Sequence, residues 1–168
     1  MNTPYPTETG CCPKFNPEPY DQKEWIWKDK LFVKDSVLCL FYMPLNFGKV
    51  IVRLMNKIDK ATAFTPEVPI GLSDHTSRWN MDLYLEVPKE VPEAEMVRLS
   101  GRYLTKVFEG PFKDTGKWCQ QMTEWIQSKG ETMKKLLMYY TTCPKCAKHY
   151  GKNYVVIFAE VSAAEIKR

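Results

Sequence analysis

The chain has 168 residues, 44% of them apolar and 13% aromatic, enough to bury one sizeable core or two small fused ones without disulfide stapling. Its formal charge of +4 arises from 24 basic and 20 acidic residues that are well mixed, with no basic stripe, helix-turn-helix or RNA-binding signature, so no nucleic-acid partner is expected. The longest apolar run, Val37 to Met43, is far too short to cross a bilayer, and cysteines without an apolar leader suit a reducing compartment; the reading is a soluble, cytoplasmic protein with no membrane partner.

Residues 1–22 form an extended arm in this reading, since Met1 to Tyr20 hold five of the twelve prolines and no periodic apolar pattern; Cys11, Cys12 and Phe15 are its anchors. Glu24 to Val33 alternates aromatics with charges and predicts a short strand or hairpin, and Val37 to Met43 a central strand that Pro44 ends. Asn46 is placed to cap a helix whose buried face is Phe47, Val50, Ile51, Leu54, Met55 and Ile58. Ile70 to Ser73 predicts a short strand, Asp74 to Arg78 a polar loop beside Trp79, and Asp82 to Val87 an alternating strand. Met96 to Leu99 runs into Gly101, and Arg102 to Glu109 is a further strand. Asp114 or Thr115 then caps a second helix, buried through Trp118, Cys119, Met122, Trp125 and Ile126 and ended by Gly130. Lys135 to Thr141 and Tyr154 to Val161 are the last two strands. The order strand, helix, strand, strand therefore occurs twice, in modules of about 31–87 and 96–161 within one domain over 23–168.

Between the last two strands lies Cys143-Pro144-Lys145-Cys146-Ala147-Lys148-His149. Two thiols at this spacing can address one tetrahedral metal ion, and a histidine three residues on can supply a third ligand. A structural zinc site wants a fourth, which Cys11-Cys12 can give; the ligand set is Cys143, Cys146, His149 and Cys12. The same pair could be a redox dithiol, but that needs a helix starting after a strand, and Tyr150 to Asn153 reads here as a turn with no helix before it.

Three glutamates share strand faces with aromatics: Glu86 with Tyr84, Glu109 with Tyr103, and Glu160 with Tyr154, Val156 and Phe158. A carboxylate in apolar surroundings has its charged form disfavoured, which suits a general base near neutral pH; at a strand end in water it is only a solvated acid. Trp79, Tyr84 and Tyr103 lie in strands or a loop and are candidate pocket aromatics, whereas Trp118 and Trp125 share a helix face and read as core. Aromatics with one acid suit flat, apolar or cationic ligands. Asp74, His75 and Ser77 do not make a nucleophilic triad, because neighbours in a loop rarely face each other and no nucleophile elbow is present.

The stretches Asp82 to Val87, Leu99 to Tyr103, Phe108 to Phe112, the Trp118 to Gly130 helix and Tyr139-Tyr140 follow one another as in GyrI-like domains, which the second half of the chain resembles. The Cys-Cys-Pro arm and Cys-Pro-x-Cys-x-x-His segment resemble a bacterial subgroup of that family labelled hydrolase. The resemblance implies an α+β fold of two strand-helix-strand-strand modules in pseudo-twofold arrangement, with an antiparallel sheet and helices on one side. It also implies an aromatic pocket for a small molecule, here Trp79, Tyr84, Glu86, Tyr154 and Phe158, and, in members that hydrolyse reactive compounds, a pocket carboxylate and tyrosine, here Glu160, Glu109 and Tyr103. One departure matters: Val156 stands where many members have an acid, and Glu160 where they have proline. The expectation is a small-molecule-binding domain, with hydrolysis by a glutamate-activated water and a structural zinc. The alternatives are a metal- or thiol-dependent protein working through the Cys143 to His149 segment, and a non-enzymatic interaction module.

Overall fold

A computed structural model describes residues 4–162. It forms two compact units, residues 4–13 with 29–99 and residues 14–28 with 100–162. The elements are β1 (Lys23–Leu40), β2 (Met43–Pro44), α1 (Phe47–Lys60), β3 (Gly71–Ser77), β4 (Asn80–Glu86), β5 (Glu95–Glu109), α2 (Thr115–Ser128), β6 (Thr132–Tyr140), α3 (Pro144–Tyr150) and β7 (Tyr154–Ser162). The fold is α+β, the strands pair antiparallel within each unit, and each unit carries the expected strand-helix-strand-strand order. No helix of the described residues is long and apolar enough to cross a membrane.

In the first unit the strand order is β2-β1-β4-β3. Alternation along β1 turns Val33, Val37 and Cys39 to the helical side, where they meet Leu83, Leu85 and Met81 of β4 and the Val50, Leu54, Met55 and Ile58 stripe of α1. The two strands predicted between Glu24 and Met43 are one 18-residue strand, within which Asp29 is left-handed (φ 52°), a conformation that aspartate tolerates better than most residues. Asn46 precedes α1 but does not cap it with its side chain. Its Oδ1 accepts from Leu38 N–H at 2.8 Å instead, tying the helix start to the strand. The predicted loop at Asp74 to Arg78 is also corrected: β3 continues through Ser77, and only Arg78 and Trp79 turn.

In the second unit the order is β6-β7-β5. One sheet face presents Leu104, Phe108, Met138, Val155, Ile157 and Ala159 to Trp118, Met122 and Ile126 of α2. Trp118 is thus core, stacked on Phe108 at 5.9 Å. Gly110 (φ 146°) is needed at the end of β5, since a Cβ there would lie 3.1 Å from the Trp118 ring. The opposite face bears Tyr103, Thr105, Val156, Phe158, Glu160 and Tyr139, and residues 14–28 lie against it.

The segment after β6 corrects another expectation. Pro144 and Gly151 bound a helix, α3, rather than a plain turn: proline at the first helical position has its φ already set, and Gly151 (φ 72°) takes the left-handed position past the end.

Candidate functional site

The helix-free face of the second unit is built from rings. Trp25 and Trp27, on alternate residues of β1, point the same way while Ile26 between them is exposed. Trp27 lies 4.4 Å from Tyr103 and 5.6 Å from Phe158, ring centroid to centroid, and Trp25 lies 5.9 Å from Phe158. Tyr20 stacks on Trp25 at 5.6 Å, and Phe15 bridges Tyr20 (5.3 Å), Tyr139 (6.0 Å) and Tyr154 (5.8 Å). Eight rings therefore form one continuous cluster at separations where aromatic pairs attract beyond simple burial.

A buried hydroxyl fastens the incoming segment to the sheet. Thr105 Oγ1, fully buried, donates to the Tyr20 carbonyl at 2.6 Å and accepts from Trp25 Nε1 at 3.1 Å. Asp21 Oδ1 accepts from Val107 N–H at 3.0 Å, extending the attachment one residue pair along β5. At the far end of the segment Arg102 forks onto Glu131 with bonds of 2.6 and 2.9 Å and also reaches Glu24 at 3.2 Å.

Glu160 stands at the margin of the cluster. It is half-buried, directly across the ladder from Tyr103 on one side and Lys135 on the other. Burial, with the Glu160 charge adding to it, pushes the Tyr103 phenol up to about 12, so this hydroxyl stays protonated at neutral pH and is available as a donor. Gly101 (φ 148°), beside this pair, takes a backbone conformation that residues with a side chain rarely adopt.

The other predicted site residues lie in different surroundings. Glu109 ends β5 exposed, 3.8 Å from Lys152 Nζ. Tyr154 and Phe158 belong to the ring cluster, Phe158 fully buried. Tyr84, Glu86 and Trp79 are in the first unit: Tyr84 is buried in β4, Glu86 pairs with Lys30 and accepts from Ile70 N–H at 3.1 Å, and Trp79 is half exposed at the β3–β4 turn. Ser77 Oγ accepts the turn N–H groups of Trp79 and Asn80, both at 3.1 Å, which is turn chemistry rather than a triad. Sequence reasoning singled out neither Trp25 and Trp27 nor Tyr20 and Tyr139 as site residues. The period-two placing of the two tryptophans was the available signal.

The thiols form a second candidate site. The sulfurs of Cys11, Cys12, Cys143 and Cys146 all lie within 4.8 Å of one another, with Cys11 and Cys12 at 3.6 Å. Four thiolates around one zinc at about 2.3 Å stand about 3.8 Å apart, so the donor set and spacing fit a metal ion. This group holds Cys12, Cys143 and Cys146 of the expected set together with Cys11; His149 lies on the last turn of α3, its ring 5.2 Å from that of Tyr150. Burial pushes the thiols of Cys39 and Cys119 up, which disfavours their nucleophilic thiolate form.

The model of a family described as bacterial hydrolase matches residues 3–161. Among solved structures the chain is similar to the EcmrR C-terminal domain, at 12% identity and TM-score 0.63 over 85% of this chain and 98% of that one. It is similar to a hydrolase from Listeria innocua, at 13% identity and TM-score 0.61 over 85% and 92%. It is also similar to SAV2435 bound to tetraphenylphosphonium, at 13% identity and TM-score 0.52 over 88% and 98%. At such identities the likeness is one of fold. No curated protein matches the chain.

Proposed function

The chain belongs to the bacterial hydrolase family, and from that premise we propose that it binds a flat, apolar or cationic aromatic molecule at the ring cluster of its second unit and hydrolyses it with water activated by Glu160. The observation that carries the reading is the placing of one carboxylate, Glu160, against Tyr103 at the edge of eight clustered rings. Ring faces are electronegative, and a carboxylate beside them adds to the attraction for a delocalised cation. That a solved structure of similar fold holds tetraphenylphosphonium, an aromatic cation, supports this ligand class. In the reaction Glu160 takes a proton from water, the oxygen bonds to the electrophilic carbon of the ligand, and the leaving group departs with its electron pair. Tyr103, protonated at neutral pH, donates a hydrogen bond to that leaving group.

Tetraphenylphosphonium is the probe for the binding half of the proposal. Tryptophan quenching should report saturable binding that Trp25→Ala weakens roughly tenfold or more, a contact of 1–2 kcal/mol. Glu160→Gln should keep the fold, weaken the cation and abolish turnover of an electrophilic aromatic ester, while Glu109→Gln should leave all three unchanged. Binding that ignores Trp25, or turnover that survives in Glu160→Gln, refutes the assignment.

For the four thiols the proposal is a structural zinc. A structural site is closed by four protein donors, whereas a catalytic one keeps a position for water, so the donor set supports a stapling role over a working one.

A further inference from the structure

The first unit carries a feature that neither binding nor hydrolysis uses: a short hairpin whose tip is aromatic and strained. Leu40 pairs with Met43, so Phe41 and Tyr42 alone make the turn, both at positive φ (48° and 69°). A two-residue turn of this kind favours Asn-Gly, since a bulky side chain at positive φ is strained. Here both positions are aromatic, and both face water, with Phe41 64% and Tyr42 58% exposed. Met43 and Leu45 follow at 68% and 63%, and Trp79 packs beside Phe41 at 5.1 Å while remaining 50% exposed. Together with Leu38 and Leu40 these are seven of the eleven large exposed hydrophobic residues among those described. The tip is held in place: Cys39 N–H donates to the Trp79 carbonyl at 2.8 Å and Tyr42 N–H to that of Arg78 at 2.9 Å.

Charge around the tip has one sign. No acid occurs from Ser36 to Ile58 or from His75 to Met81. The flanking acids are engaged or covered: Asp35 is forked by Arg53, Asp82 pairs with Lys34, and Asp74 is buried. Lys49, exposed in the first turn of α1, has no ion pair among the described residues, and the Arg78 guanidinium lies 5.9 Å over the Trp79 ring. An exposed apolar tip flanked by cations suits an occupant that is apolar within and anionic at its margin. A second copy would set Lys49 and Arg78 against their own kind.

We propose that this tip docks the protein on anionic membrane surfaces, with Phe41, Tyr42, Met43 and Trp79 entering the headgroup and acyl boundary and Lys49 and Arg78 meeting lipid phosphates. Aromatic side chains favour that boundary, and each nearby cation adds attraction to an anionic leaflet. The expectation of no membrane partner rested on the lack of a spanning run, which does not bear on a surface contact.

The test is sedimentation with phosphatidylcholine vesicles, with and without about a third phosphatidylglycerol. The full chain should bind the anionic vesicles. Phe41→Asn with Tyr42→Gly, which installs the preferred turn pair, should melt no lower than the parent yet bind at least about tenfold more weakly. Lys49→Glu with Arg78→Glu should lose the preference for anionic lipid. Failure of the parent to bind, or equal binding by the Asn-Gly variant, overturns the proposal. Self-association of the parent that the Asn-Gly variant abolishes also overturns it and assigns the tip to a second copy.

Discussion

Replacing Thr105 by valine tests how the ring cluster is assembled. Valine has nearly the same shape, so the fully buried site keeps its packing and loses only the hydroxyl. That hydroxyl makes two principal bonds, donating to the Tyr20 carbonyl at 2.6 Å and accepting from Trp25 Nε1 at 3.1 Å, with the Lys23 carbonyl a longer second acceptor at 3.3 Å. At about 1 kcal/mol each the loss is about 2 kcal/mol, and it approaches about 4 only if both former partners stay buried and unpaired. Trp25 is half-buried, and its N–H can reach water by a small shift, which places the expected value near the lower figure. For a chain of this size about 2 kcal/mol lowers the melting temperature by about 4–8 °C. Urea titration followed by tryptophan emission should show the same loss, and tetraphenylphosphonium binding should weaken as Trp25 leaves its place. Thr105→Ser keeps the hydroxyl and should cost less than valine. A valine variant within about 0.5 kcal/mol of the parent, or a serine variant less stable than the valine one, would refute the idea that this hydroxyl fastens the segment.

Two further outcomes follow from the charges and the thiols. Arg102 holds the Glu131 carboxyl below its ordinary value, chiefly through the forked hydrogen bond, so this contribution is present above the unfolded carboxylate pKa and is lost as pH falls through the folded one. Glu131→Gln should therefore flatten the acid limb of the stability profile measured by thermal melts between about pH 3 and 7; an unchanged limb would remove the pair from that account. Elemental analysis of protein purified under reducing conditions should find about one zinc per chain, absent in Cys143→Ser and removable by chelator with a fall in melting temperature. Zinc retained by Cys143→Ser, or a melting temperature indifferent to chelator, would separate the metal from those thiols.

Local pattern alone carried much of the architecture. The apolar stripes of α1 and α2, the alternation in β4, the apolar run of β7 and the repeated strand-helix-strand-strand order were all legible, because each depends on a pattern that a short window contains. The face shared by Phe158 and Glu160 was legible for the same reason. Elements without a period were not. The helix α3 spans seven residues, too few to display a stripe, and its signals were only Pro144 and Gly151 at its ends. Asp29 within β1 and the aromatic turn at Phe41 and Tyr42 use left-handed backbone that sequence assigns first to glycine or asparagine.

Site composition depended on pairings far apart in the chain. Tyr103 meets Glu160 through the β5–β7 register, and Tyr20 and Trp25 are placed by a hydroxyl some eighty positions away. Residue types along the chain determined that aromatics, one acid per strand face and two thiol pairs would be available. Only the tertiary structure decided which of them meet, because register, a buried Thr105 and the return of the arm act between residues that no local window contains.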